Sequence, residues 1–134
     1  KFYSKNYQNV SASNVLKELA YEIALNFKNK KYLFLAELEL WALANRDSKV
    51  RERTKKLYNK ILNHLENIFK KAILDGEYKN IDPGMAAMAV MTSMQGVIWF
   101  SIFDHNNFTA EDYINEVMNF IINGFKKSSA AISN

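Results

Sequence analysis

Glu37 stands in an almost wholly apolar run, Tyr32–Ala44 (YLFLAELELWALA), and lies about 40° around a helix from Trp41. A carboxylate among apolar side chains is costly unless a partner meets it. A cation would serve, and Trp41 would add cation–π attraction; the same carboxylate could instead reach solvent or a lysine. Gln95 is the second polar group of interest. On the helix read from Pro83 to about Phe103 it shares a face with Met88, Met91, Thr92, Trp99 and Ile102. Methionine adapts to varied shapes, and a lone amide carries both a donor and an acceptor. Such a face can orient a mostly apolar ligand, or it can be a packed core in which a neighbour satisfies Gln95. Tyr58 is the third, because a buried phenol needs a hydrogen-bond partner. The candidate ligand-binding set is Phe34, Glu37, Leu38, Trp41, Tyr58, Leu62, Met88, Met91, Gln95 and Trp99.

Other chemistries find little support. There is no Gly-rich phosphate loop, nucleophile elbow or His-Glu-x-x-His pair. With no cysteine, thiolate metal sites, disulfides and Cys nucleophiles are excluded. His64 reads as a rim residue of its helix and His105 as a loop residue, and neither sits in a metal-ligand spacing. No enzyme activity, metal or cofactor is expected. The basic cluster Lys49, Arg51, Arg53, Lys55, Lys56 and Lys60 spreads around the helix and reads as a solvated surface rather than a base-reading one.

The elements that must position these groups are helical. A chain of 134 residues, 49% hydrophobic, suits one domain with a real core, residues 1–134. One proline and four glycines leave room for long helices. Apolar residues Val15, Leu16, Leu19, Ala20, Ile23, Ala24 and Phe27 form a helical stripe over about Ser13–Phe27. Tyr32–Ala44 is too short for the roughly 20 residues of a membrane span and reads as a buried helix. Asp47 or Ser48 caps a long helix that buries Val50, Thr54, Leu57, Tyr58, Ile61, Leu65, Ile68 and Ala72 and stops at Gly76. Asp82-Pro83 opens the next, which is apolar nearly all round and reads as a buried central helix. Thr109 and Asp112 form a capping box for the last, which carries Tyr113, Ile114, Val117, Phe120, Ile121 and Phe125. The expectation is an all-α bundle of five to six helices, with residues 1–11 leading in and a flexible polar tail at 127–134. The formal charge of +4 is too mild to argue a nucleic-acid partner. No run is long enough to span a membrane, and a cytoplasmic setting fits the lack of cysteine.

The ordered segments ELWALANRD at Glu39–Asp47, GEY at Gly76–Tyr78 and DPGMAAMAV at Asp82–Val90 resemble the C-terminal half of tetracycline-repressor-type (TetR-family) transcriptional regulators. The similarity runs from roughly Ser13 to Phe125. It implies a domain that binds a small effector in its helical bundle and forms a homodimer through its last two helices, as half of a four-helix bundle. The small-residue face of the Pro83–Phe103 helix suits such close contact. The implied interface is Ala89, Ser93, Val97 and Phe100 with Tyr113, Val117, Phe120 and Ile121. The effector would be apolar or aromatic, and cationic where Glu37 pairs with it. The family's helix-turn-helix domain, which reads operator DNA, would precede Lys1, and residues 1–11 are too few to hold one. The expectation is therefore the effector-binding and dimerisation part of a longer regulator, a repressor by the family's habit. The alternative is a helical interaction module that dimerises without a ligand pocket.

Overall fold

The computed structural model describes residues 9–100 and 107–128. Five helices follow one another: α1 (Ala12–Asn29), α2 (Lys31–Ala44), α3 (Ser48–Leu74), α4 (Pro83–Phe100) and α5 (Ala110–Phe125). The architecture is all-α, and among the described residues no strand occurs, only an isolated antiparallel bridge between Tyr78 and Lys126. No described helix is long and apolar enough to cross a membrane.

Local chemistry sets the helix ends. Ser11 caps α1 by accepting from the Asn14 N–H, and Asp47 caps α3 by accepting from Lys49 and Val50. Asp82 Oδ1 accepts from the Met85 N–H at 2.7 Å, ahead of Pro83. Thr109 and Asp112 complete the reciprocal capping box of α5, and the two bonds from Thr109 hold the Asp112 carboxyl below its usual range. At the end of α3, Gly76 takes φ +74°, donating to the Ile73 carbonyl, while Glu77 donates to that of Ala72. That is a Schellman motif, and the left-handed turn it needs is why glycine stands there.

The helices pack in a ring. α1 lies mainly on α5, α4 is flanked by α3 and α5, and α2 closes the circuit between α3 and α1. The core is built from Leu16, Ala20 and Ala24 of α1, Leu65 and Phe69 of α3, Val90 and Met94 of α4, and Ile114, Met118 and Ile122 of α5. The segment after Gly76 latches this ring shut. Glu77 accepts from the Ala12 and Ser13 N–H groups at 2.7 and 2.8 Å and from the Ser13 hydroxyl at 2.6 Å. Those are orphan donors at the start of α1, where the helix dipole also favours an anion. Burial alone would raise the Glu77 carboxyl. The bonds from Ser13 and Ala12 and the charge of Lys126 outweigh it, so the group is lowered. Tyr78, fully buried beside Phe69 and Phe125, meets the Ser13 hydroxyl at 3.0 Å. Its phenol is pushed up to about 12 by burial, with the Glu77 charge adding to the effect and the Ser13 bond opposing it.

Three expectations about burial need correction. α2 is not a buried helix: Ala44 is its only buried residue, and Tyr32, Leu33, Leu35, Leu40 and Leu43 are exposed. It packs on one side only, so an apolar composition all round did not mean cover all round. α4 is likewise half covered. Ala86, Ala87, Val90, Met94 and Ile98 are buried, whereas Met85 and Phe100 are 71% and 63% exposed. On α3, Leu57 is exposed, and Phe69, absent from the expected arc, is fully buried. The arc is displaced toward Phe69 because α4 and the Tyr78 segment approach from that side. The expected continuation of α4 to Phe103, His105, residues 1–8 and the tail from 129 onward lie outside the described residues.

Candidate functional site

A cavity of about 200 Å³ opens inside the ring. Leu19 and Ile23 of α1, Phe34 and Glu37 of α2, Tyr58, Ile61 and Leu65 of α3, and Val90, Met91, Met94, Gln95 and Ile98 of α4 line it. Nine of the twelve walls are thus aliphatic, thioether or phenyl side chains, and the polar groups are Glu37, Tyr58 and Gln95. These three are joined. Glu37 Oε1 accepts from the Tyr58 hydroxyl at 2.5 Å and from Gln95 Nε2 at 2.8 Å. A carboxylate and two neutral donors therefore tie α2, α3 and α4 together at one point.

Gln95 cannot be turned around in this arrangement. An ionised carboxylate only accepts, so the amide nitrogen must face Glu37 and the amide oxygen must face away. That oxygen is buried and has no donor among the described residues. The indole N–H of Trp41 is also buried with no acceptor among them. Buried polar atoms are usually paired, so the unpaired Gln95 oxygen on a cavity-lining side chain points to a missing partner.

Trp41 lies just outside the cavity. Its ring is 4.4 Å from that of Tyr58 and meets Trp99 edge-on at 6.1 Å. It lines an outer groove with Thr54, Tyr58, Leu62, Met88, Met91 and Thr92. Tyr58 and Met91 border both spaces and form the partition between them. At the groove's other end Arg51 donates to the Ala44 and Asn45 carbonyls at 2.9 and 2.8 Å, satisfying the C-terminus of α2. The rest of the basic cluster (Lys49, Arg53, Lys55, Lys56 and Lys60) is exposed.

Of the residues expected to bind ligand, Phe34, Glu37, Tyr58, Met91 and Gln95 line the cavity, and Trp41, Leu62 and Met88 line the groove. Leu38 and Trp99 are half-buried and line neither. Sequence reasoning missed Leu19, Ile23, Ile61, Leu65, Val90, Met94 and Ile98 as cavity walls. Their apolar periodicity marked most of them as inward-facing, but nothing local separates a wall from a filled core. His64 is half-buried and pushed below its usual range by burial, and it is not a cavity wall. Among the described residues no three His, Cys, Asp or Glu side chains gather as metal ligands would.

A second surface lies on the other side of α4. Met85, Ala89 and Phe100 are exposed there, with Ser93 and Gly96 half-buried among them. On the adjoining α5, Tyr113 and Phe120 are 38% and 65% exposed, in line with Gly124. A Cβ built on Gly96 or Gly124 would meet nothing within 4 Å. Of the eight residues expected at a dimer interface, Ala89, Phe100, Tyr113 and Phe120 are exposed, while Ser93, Val97, Val117 and Ile121 are half-buried. Val97, Val117 and Ile121 also pack against the core. The chain matches no protein-family model, no curated protein and no solved structure.

Proposed function

We propose that this chain is the effector-binding and homodimerisation domain of a tetracycline-repressor-type transcriptional regulator, a repressor whose DNA-reading domain is not part of this sequence. The observation that carries the reading is the 200 Å³ apolar cavity crossed by the Glu37–Tyr58–Gln95 cluster. A few placed polar groups in an apolar pocket are how small-molecule sites orient a ligand. An apolar cavity of about 150 Å³ can hold benzene, so this one suits an aromatic ring with one short polar substituent. In this reading α4 serves both partners. Val90, Met91, Met94, Gln95 and Ile98 face the ligand, and Ala89, Ser93 and Phe100 face a second copy with Tyr113 and Phe120 of α5. A ligand that moves α4 therefore shifts the geometry of the dimer, a population shift that would misalign two attached DNA-reading heads.

A thermal-shift screen of small aromatic compounds tests the pocket. Binders raise the melting temperature in proportion to ln(1 + [L]/Kd). If none does, the chain is a helical interaction module. Light scattering at micromolar concentration tests the dimer: twice the chain mass is expected, reverting to one on Phe120→Glu. A wild-type monomer would remove α4–α5 as the interface.

A further inference from the structure

We propose that the cavity takes a small aromatic amine in its protonated form, its ammonium held by Glu37 Oε2 and Gln95 Oε1. This deepens the effector-pocket reading above and rests on it. Three observations carry it. First, among the described residues Glu37 is the one formally charged side chain in the cavity wall, and no lysine or arginine of that set lines it to compensate. Second, both donors that reach Glu37, the Tyr58 hydroxyl and the Gln95 amide, are neutral and share Oε1. Oε2 takes a bond from no described residue. Third, Gln95 Oε1 is buried and takes no bond from a described residue, and its orientation follows from the bond its nitrogen makes to Glu37.

Among the described residues the site thus holds no positive charge, and two acceptors on side chains already bonded to each other, Glu37 Oε2 and Gln95 Oε1, take no bond. A neutral alcohol could supply one donor, and a carboxylate ligand would supply none and add repulsion. A primary ammonium carries three donors and the missing charge. Phe34 and Tyr58 in the same wall supply π faces on which a cation is stabilised. The aliphatic walls (Leu19, Ile23, Val90 and Ile98 among them) take the ring.

Calorimetry with 2-phenylethylamine, 2-phenylethanol and 3-phenylpropionate at neutral pH separates the possibilities. The amine should bind about 10-fold or more tightly than the alcohol, as a charge-assisted bond exceeds a neutral one, and the propionate most weakly. Glu37→Gln should weaken the amine by about 10-fold or more relative to the alcohol, because only the amine loses an ion pair. If the alcohol matches or exceeds the amine, or if Glu37→Gln leaves the amine unaffected, the ammonium assignment fails while the pocket stands. If none of the three binds, the effector-pocket reading fails and this inference goes with it. Should Glu37→Gln lose its helical circular dichroism, the order of the three probes on the unaltered chain decides.

Discussion

Glu77→Ala should cost far more than a half-exposed surface glutamate ordinarily does. The change removes the acceptor of two N–H groups at the start of α1 and of the Ser13 hydroxyl. Losing a helix-start cap costs about 0.5–2 kcal/mol, and a hydrogen bond to a charged group contributes about 1.5–3 kcal/mol. The sum is limited because Ser13 keeps its contact with Tyr78. The net loss should be about 2–3 kcal/mol, or roughly 8–12 °C in melting temperature for a domain of this size. Acid should erase the part of it that depends on the carboxylate's charge. The folded Glu77 carboxyl is lowered from its ordinary value of 4.5. Its stabilisation is therefore present above about pH 4.5 and is lost as pH falls through the folded value. Urea unfolding of wild type and Glu77→Gln from pH 7 down to pH 3 tests this: a gap at neutral pH should close as the carboxylate protonates and comes to resemble the amide. A loss under about 1 kcal/mol for Glu77→Ala, or a wild-type-to-Gln gap that does not change with pH, would refute the latch.

Phe69→Ala should destabilise by about 3–5 kcal/mol in urea titration, because the ring is fully buried and packs on both Tyr78 and Phe125. Gly76→Ala should cost about 1–2 kcal/mol by the same assay. A Cβ there would meet only Lys127 Nζ at 3.7 Å, so the cost comes from the left-handed backbone and not from a clash.

Helix ends were legible because capping is local. Asp47, Asp82 and the Thr109–Asp112 pair each bond a backbone group two or three residues away, and Gly76 satisfies its own helix. The polar members of the candidate site were legible one at a time, since Glu37 and Gln95 each interrupt an apolar surface. Their union was not. Tyr58 and Gln95 reach Glu37 across 21 and 58 residues, and only the crossing of α2, α3 and α4 decides which atoms meet.

The sequence by itself determined that the chain is helical, where most helices begin and end, and which side chains are apolar, because these follow from periodicity and neighbouring bonds. It could not decide which side of α2 or α4 is covered. An apolar helix with no polar side has no preferred direction until another helix is placed against it. Tertiary structure made that choice, leaving Tyr32, Leu33 and Phe100 outside and Phe69 and Tyr78 inside. It also gave the Gly76–Glu77–Tyr78 segment a role no local rule contains. Glu77 reaches back 64 and 65 residues to hold the start of α1, since a helix end needs an acceptor and packing brings this one within reach.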